Sequence, residues 1–446
     1  LTCNPPLSPA IAISTTVTAL QRRPLRIALL GYRSHPHVGG QGIYLHYLSK
    51  ALTDLGHSVD VISGPPYPEL DERVTLIKIP SLDLYASKNH VRALRWHHLR
   101  SFTDTWEWWT MLTGGFGEPY TFGRRLVKWS AREKPAYDII HDNQSLCYGL
   151  LTLQKKYPLV ATVHHPITRD RDIALAAASG KGHRWLIKRW YSFLNMQEKV
   201  VNKLQHVITV SQTSRDDIAQ EFGRPAEKIQ VIANGVDTDI FRPRPDITRK
   251  PFQLITTASS DQPLKGLSVL LQALHQLQND YPQITLTVIG KLNPGGSTEK
   301  ELQTLQLTEK VSFLSELSRE EIVALYAEAT MAIVPSRYEG FGLPALEAMA
   351  CGTPLICSNG GALPEVVGEA AFVVPAGDVN TLKLAITKFL ADEKLRQHYA
   401  AAGLQHANRH YRWEVIAGQL ADYYYQLLPP EQCHATLPTA TNHVNH

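Results

Sequence analysis

What most constrains this chain is a unit that appears near its start and then recurs. The run LRIALLGY (residues 25–32) is short, apolar and ends in glycine, as a strand buried on both faces does. The glycine-rich turn HVGGQG follows, then IYLHYLSKALTDLGH with apolar residues at helical spacing and Gly56 as its stop, then SVDVIS (58–63). Strand, loop, helix and strand in that order are the unit of a doubly wound parallel sheet. Further strands are predicted over 74–79, 137–141, 159–165, 206–211 and 229–234.

The alternation stops at RPRPDITRKP (242–251), which is proline-rich and polar and reads as a linker. It restarts with FQLITTAS, a helix over 267–280, ITLTVIG (284–290), VSFLS, the helix REEIVALYAEA, MAIVPS, a helix from Pro344, TPLICS and AAFVVPA. The expected architecture is α/β, with two Rossmann-like doubly wound domains (24–241 and 252–410) facing across a cleft. Residues 1–23 read as a loosely ordered leader, 411–428 as a final helix free to pack back on the N-terminal domain, and 429–446 as a disordered tail. A length of 446 residues with 43% hydrophobic side chains suits two such cores.

Several classes are disfavoured. No run approaches the roughly 18 apolar residues of a spanning helix. The basic residues of the leader come at its end, whereas a secretory signal has them at its start. The five cysteines (Cys3, Cys147, Cys351, Cys357, Cys433) are scattered and include no CxxC pair. That argues against a disulfide framework or zinc site and fits a cytoplasmic location. A net charge of +4 is too mild to imply nucleic acid. Between Lys88 and Lys134, however, nine Lys/Arg stand against four Asp/Glu, together with five of the eight tryptophans. The stretch KGHRWLIKRWYSF (181–193) is similarly basic and aromatic. Such segments suit peripheral contact with the inner face of a membrane. They equally suit helices with an aromatic core face and a solvated basic face.

In doubly wound domains ligands bind at the carboxyl ends of strands, and the candidate motifs lie there. HVGGQG, with Gly39 and Gly40, follows the first strand but is not the G-x-G-x-x-G dinucleotide fingerprint. His164 and His165 end the run LVATV. Lys265 sits between the strand FQLITTAS and a helix, placed to meet a phosphate. The stretch SRYEGFGLPALEAMACGT (336–353) is the most specific. Pro344 suits a first helical position, so the amides of Gly340, Phe341, Gly342 and Leu343 would lie at a helix N-terminus beside Glu339, with Glu347 in the helix. Each of these residues, taken singly, also has a purely structural reading.

PSRYEGFGLPALEAMACGTPLICSNGGALPEVV resembles the E-x7-E segment of retaining, nucleotide-sugar-dependent glycosyltransferases of the family 4 type, which have the GT-B fold. GGQGIYLHYLSKALTDLGHSVDVIS, HDNQS, TVHHP and VIANGVDTDIFRP extend the likeness over nearly the whole chain. The resemblance implies that Glu347 holds the ribose and that Glu339, with the amides of Gly340, Phe341 and Gly342, holds the donor sugar. It implies that Lys265 and the amides near Gly39 and Gly40 meet the diphosphate and that His164 lies over the sugar. Asn143, His165 and Trp96 fall on the acceptor side. It implies hexose transfer with no metal and no cofactor, the co-substrate being a UDP- or GDP-type sugar and the acceptor a small molecule, a polysaccharide or a lipid-linked sugar. The chain departs from the pattern where Ser259 and Ser260 replace the usual Gly-Arg ahead of the lysine. That departure keeps a sugar-nucleotide-binding protein with weak or lost turnover as an alternative, and the two glutamates leave a two-carboxylate glycoside hydrolase as another.

Overall fold

A computed structural model describes residues 22–36, 40–84, 86, 95–178 and 180–433. Most of the expected leader, Gly39, and residues 434–446 of the expected tail lie outside the described residues. The N-terminal sheet has seven parallel strands: β1 (Arg26–Gly31), β2 (Ser58–Ser63), β3 (Thr75–Lys78), β4 (Ile139–Asn143), β5 (Leu159–Val163), β6 (His206–Thr209) and β7 (Ile229–Val231), in the order 3-2-1-4-5-6-7. The C-terminal sheet has six: β8 (Gln253–Thr257), β9 (Thr285–Ile289), β10 (Val311–Leu314), β11 (Met331–Val334), β12 (Leu355–Ser358) and β13 (Phe372–Val374), in the order 10-9-8-11-12-13. Helices cover both faces of each sheet, so central strands such as β4, β5, β11 and β12 are buried at every residue.

Both strand orders reverse direction beside the first strand of their sheet, between β1 and β4 and between β8 and β11. Loops leaving these strands diverge there and open a crevice. Across it the loop after β5 approaches the loop after β11, where a Cβ at Gly340 would stand 3.4 Å from His165 Cβ.

The helix Trp413–Gln426 packs on the N-terminal sheet and not on the domain that precedes it. Its Ile416, Leu420 and Tyr424 share a core with Leu45, Leu48 and Ile139. Trp413 stacks on Tyr47 with centroids 5.9 Å apart, and the Tyr424 hydroxyl lies 2.5 Å from His141 Nδ1. Residues 429–433, read as the start of a loose tail, instead form a 3₁₀ turn (Pro430–Gln432), and the buried Cys433 accepts a hydrogen bond from Arg23 N at 3.1 Å. Arg23 and Arg22, read as leader, are also tied down, Arg23 by Asp138 at 2.7 Å and Arg22 by Asp422. In the linker segment, Arg249 donates to the carbonyls of Ala329 and Gly352, both at 2.6 Å, so its end is pinned to the C-terminal domain.

Candidate functional site

The loop after β8 carries Lys265, and the loop after β11 carries Glu339. The two loops touch through backbone, because Leu264 O accepts Arg337 N at 2.8 Å. That approach needs Gly266, whose φ is +67° and where a Cβ would stand 2.0 Å from the Pro335 carbonyl. Lys265 Nζ consequently donates to Glu339 Oε1 at 2.8 Å, and Ser336 Oγ donates to the same oxygen at 2.8 Å. Gly361, at φ +63°, lets the loop after β12 press on Glu339 from behind, where a Cβ would fall 2.2 Å from the Glu339 carbonyl. Its neighbour Ala362 N donates to that carbonyl at 2.9 Å. Glu339 is buried and held on both its side chain and its backbone.

Gly342 then caps the helix Leu343–Ala350 with φ 106°, and Pro344 occupies its first turn. Pro344 has no N–H and Ala345 N donates to the Gly342 carbonyl at 3.0 Å, so Leu343 N is the first-turn amide left at the positive end of the macrodipole. The Phe341 ring faces away into the core, 6.0 Å from Tyr411, so only the Phe341 backbone is left for a ligand. Glu347 is half-buried one turn further on. Burial pushes its carboxyl up to about 7, with the Arg319 guanidinium nearby pulling the other way. Arg319 itself lies 4.7 Å over the ring of Tyr47, on the helix Gly40–Asp54 of the opposite domain.

On the N-terminal side the loops after β4 and β5 brace one another. Gln144 Oε1 accepts His164 N at 2.8 Å and its Nε2 donates to the His165 carbonyl at 3.0 Å. Asn143 Nδ2 donates to the Gln41 carbonyl at 3.0 Å, which turns Oδ1 toward His164 Nε2, 2.7 Å away. A carbonyl can only accept, so the Asn143 amide has one orientation and His164 Nε2 must carry the proton. Its Nδ1 is then an acceptor. Burial, and secondarily the charge of His165, push His164 down to about 3, so the ring stays neutral at working pH. Tyr44 meets the ring edge-on at 4.8 Å.

The two sides join at a seam that the sequence reading did not anticipate. Ser211 Oγ donates to the Gly340 carbonyl at 2.7 Å, and Ser214 Oγ lies 3.0 Å from the carbonyls of both Gly340 and His164. Glu365 accepts Gln212 N at 2.9 Å and Thr213 N at 3.1 Å, capping the helix Gln212–Phe222 from the other domain. Tyr338, beside Glu339, donates to Asp217, which also accepts Arg169 Nη2 at 2.6 Å, and the Arg169 guanidinium covers the Tyr338 ring at 3.9 Å.

The other expected residues have different surroundings, although His165 lies beside Gly340, where a Cβ would stand 3.4 Å from His165 Cβ. Ser260 is buried and its Oγ accepts Asn293 N at 3.0 Å, which engages the hydroxyl in holding a neighbouring loop. Ser259 is exposed, as is Gly40 at the start of its helix. His165 is exposed, with Nε2 3.8 Å from Asp170 Oδ2. Trp96 is 88% exposed in the short turn Trp96–Arg100, and no contact links it to His164 among the described residues.

This geometry can grip an anion and a polyol: a lysine, two carboxylates and the amides leading into the Leu343–Ala350 helix on one side, and the Nδ1 acceptor of His164 on the other. Comparison with known proteins agrees. The family model described as Glycosyltransferase Family 4 matches residues 38–240, and that described as Glycosyl transferases group 1 matches residues 239–406. An MMP alpha-(1->4)-mannosyltransferase from Mycolicibacterium hassiacum is 44% identical over 409 residues, covering 90% of this chain and 98% of its own. The chain is a family 4 glycosyltransferase.

Solved structures share its fold. The sucrose-phosphate synthase of Thermosynechococcus elongatus superposes with a TM-score of 0.66 at 24% identity, covering 90% of this chain and 99% of that one. Anabaena HepE in complex with UDP gives 0.65 at 19%, covering 90% of this chain and all of the other. Both have the GT-B arrangement of two facing α/β domains seen here.

The seam leads to a prediction for this transferase. Tyr338→Phe removes one charge-assisted hydrogen bond across the domains, and transfer is expected to fall about tenfold with little change in melting temperature. Initial rates against donor concentration and a thermal melt check it.

Proposed function

We propose that this enzyme transfers a hexose, mannose in the first instance, from a nucleoside-diphosphate sugar to an acceptor hydroxyl with retention of configuration and without a metal. One observation carries the reading: Lys265 and Glu339 are locked together ahead of the Leu343–Ala350 helix, next to Gly340, whose carbonyl shares Ser214 Oγ with the His164 carbonyl. The choice of mannose is supported by the mannosyltransferase relative. A UDP- or GDP-type donor fits the cleft between two Rossmann-like domains.

In this reading the ribose hydroxyls donate to Glu347 and the sugar hydroxyls to Glu339. Lys265 exchanges part of its contact with Glu339 for the diphosphate. The bond between C1 and the phosphate oxygen breaks, and its electron pair leaves with the diphosphate, where Lys265 and the amides leading into the Leu343–Ala350 helix stabilise it. The acceptor oxygen bonds to C1 from the same face and passes its proton to a departing phosphate oxygen. Neutral His164, with Nδ1 as acceptor, orients a donor-sugar hydroxyl. The two glutamates have separate partners, a lysine and an arginine, and do not form the matched acid and base of a hydrolase.

The test is a panel of UDP- and GDP-hexoses against mannosides, glucosides, oligosaccharides and lipid-linked acceptors, with product anomers read by NMR. Acceptor-dependent release of nucleoside diphosphate with an α-linked product is expected. Acceptor-independent release of free sugar, or donor binding with no turnover on any acceptor, would overturn the proposal.

A further inference from the structure

Two surface elements of the N-terminal domain lie outside the transfer site. None of the ten residues of the helix Lys181–Trp190 is buried. It exposes Trp185 (59%) and Leu186 (49%) beside Lys181, Arg184 and Lys188, and has no acidic residue. The neighbouring helix Phe102–Leu112 exposes Phe102, Trp109 and Leu112. They form one surface: a Cβ at Gly114 would stand 3.1 Å from Leu186 Cδ2, and Arg189 Nη2 donates to Thr113 Oγ1 at 3.0 Å. The acids of the second helix do not offset the cations outside. Glu107 is buried, accepting Leu82 N at 3.0 Å and Thr121 Oγ1 at 2.9 Å, and Asp104 is paired with Arg125.

We propose that this surface docks on an anionic lipid membrane. Tryptophan with leucine suits the boundary between headgroups and acyl chains, and lysine and arginine beside them meet lipid phosphates. A neutral glycan would use the tryptophans but has no partner for the cations or the leucines. A second copy of this chain, joined by a two-fold axis, would set the basic helix against itself. No helix among the described residues is long and apolar enough to span, so the contact is with the membrane surface. Trp190 stacks on Phe116 at 5.4 Å and Phe116 meets Tyr32 edge-on at 6.1 Å, and Tyr32 directly follows β1. The patch therefore reaches the rim of the cleft, and docking brings the cleft mouth close to the bilayer.

The proposal does not depend on which sugar or acceptor the enzyme uses, and its test needs no turnover. The full chain is floated with vesicles of phosphatidylglycerol in phosphatidylcholine, and with phosphatidylcholine alone, at low and high salt. It should rise with the anionic vesicles at low salt, remain behind at high salt, and ignore the neutral ones. Trp185→Ser with Leu186→Ser, and separately Lys181→Glu with Lys188→Glu, should each weaken binding at least about tenfold. These side chains are exposed, and a thermal melt verifies that the variants fold. Should either pair fail to fold, the lipid and salt dependence of the unaltered protein still decides. Failure of the unaltered chain to float, or folded variants that bind as it does, would overturn the proposal. So would a dimer that the variants split without any flotation, or retardation in a polysaccharide gel abolished by the tryptophan pair in place of vesicle binding.

Discussion

Lys265→Ala should lower the turnover number by about two to three orders of magnitude, the usual loss when one preorganised charge-stabilising group is removed. Its melting temperature should barely move. The lysine side chain is 32% exposed and its pair with Glu339 lies at the cleft wall, so the ion pair contributes about 1 kcal/mol or less to stability. Ser336 still donates to Glu339 at 2.8 Å, so the carboxylate is not left bare. Glu339→Ala should produce a loss of similar size by a different route. It frees Lys265 but removes the proposed acceptor for the donor sugar, so much of the effect should appear in the Michaelis constant for the donor. Lys265→Arg restores the charge on a planar fork of different reach and should recover only part of the rate. Steady-state kinetics with intact donor, beside a melt of each variant, separates these cases. Near-normal turnover of both alanine variants would remove the Lys265 and Glu339 pair from the site.

How much of this was legible in the chain depends on whether the cause was local. Strand β1 occupies Arg26–Gly31 within the apolar run at 25–32, because a strand buried by helices on both faces announces itself in composition. The run at 159–165 overran its strand, which ends at Val163, because Gln144 from the next loop takes the His164 backbone amide. Ser336 had a readable sign in its place three residues before Glu339, a spacing at which a serine and a glutamate often exchange hydrogen bonds. Asp217, Arg169, Glu365 and Arg319 had none. Asp217 stands 121 positions from Tyr338 and Glu365 stands 153 from Gln212, so their pairing exists only once two domains face each other. The basic and aromatic stretches left two readings open because exposure, not periodicity, separates a core face from a free one. Trp185 and Trp109 proved exposed, whereas Trp413, elsewhere in the chain, is buried.

Donor binding should strengthen as pH rises through neutrality if Glu347 holds the ribose as proposed. Burial holds its carboxyl at about 7, so it is largely protonated at pH 6 and largely ionised at pH 8. An ionised carboxylate accepts from both ribose hydroxyls at once, whereas the acid gives up one acceptor to its own proton. The ionised fraction rises from about one-tenth to about nine-tenths between those pH values, so affinity should rise severalfold, with about tenfold as the ceiling. The stability of the ligand-free protein runs the opposite way. A carboxyl raised above its ordinary value of 4.5 makes the folded state hold more protons than the unfolded one. Its contribution is therefore fully present at pH below about 4.5 and is lost as pH climbs through about 7. Glu347→Gln should flatten both slopes and leave affinity near the low-pH level of the unaltered enzyme. Arg319→Met, which removes the opposing cation, should shift the rise in affinity to higher pH. Calorimetry with an intact sugar nucleotide is the right measurement, because its two phosphates are both diesters and do not titrate in this range. An affinity for the unaltered enzyme that is flat from pH 6 to pH 8 would separate Glu347 from the ribose.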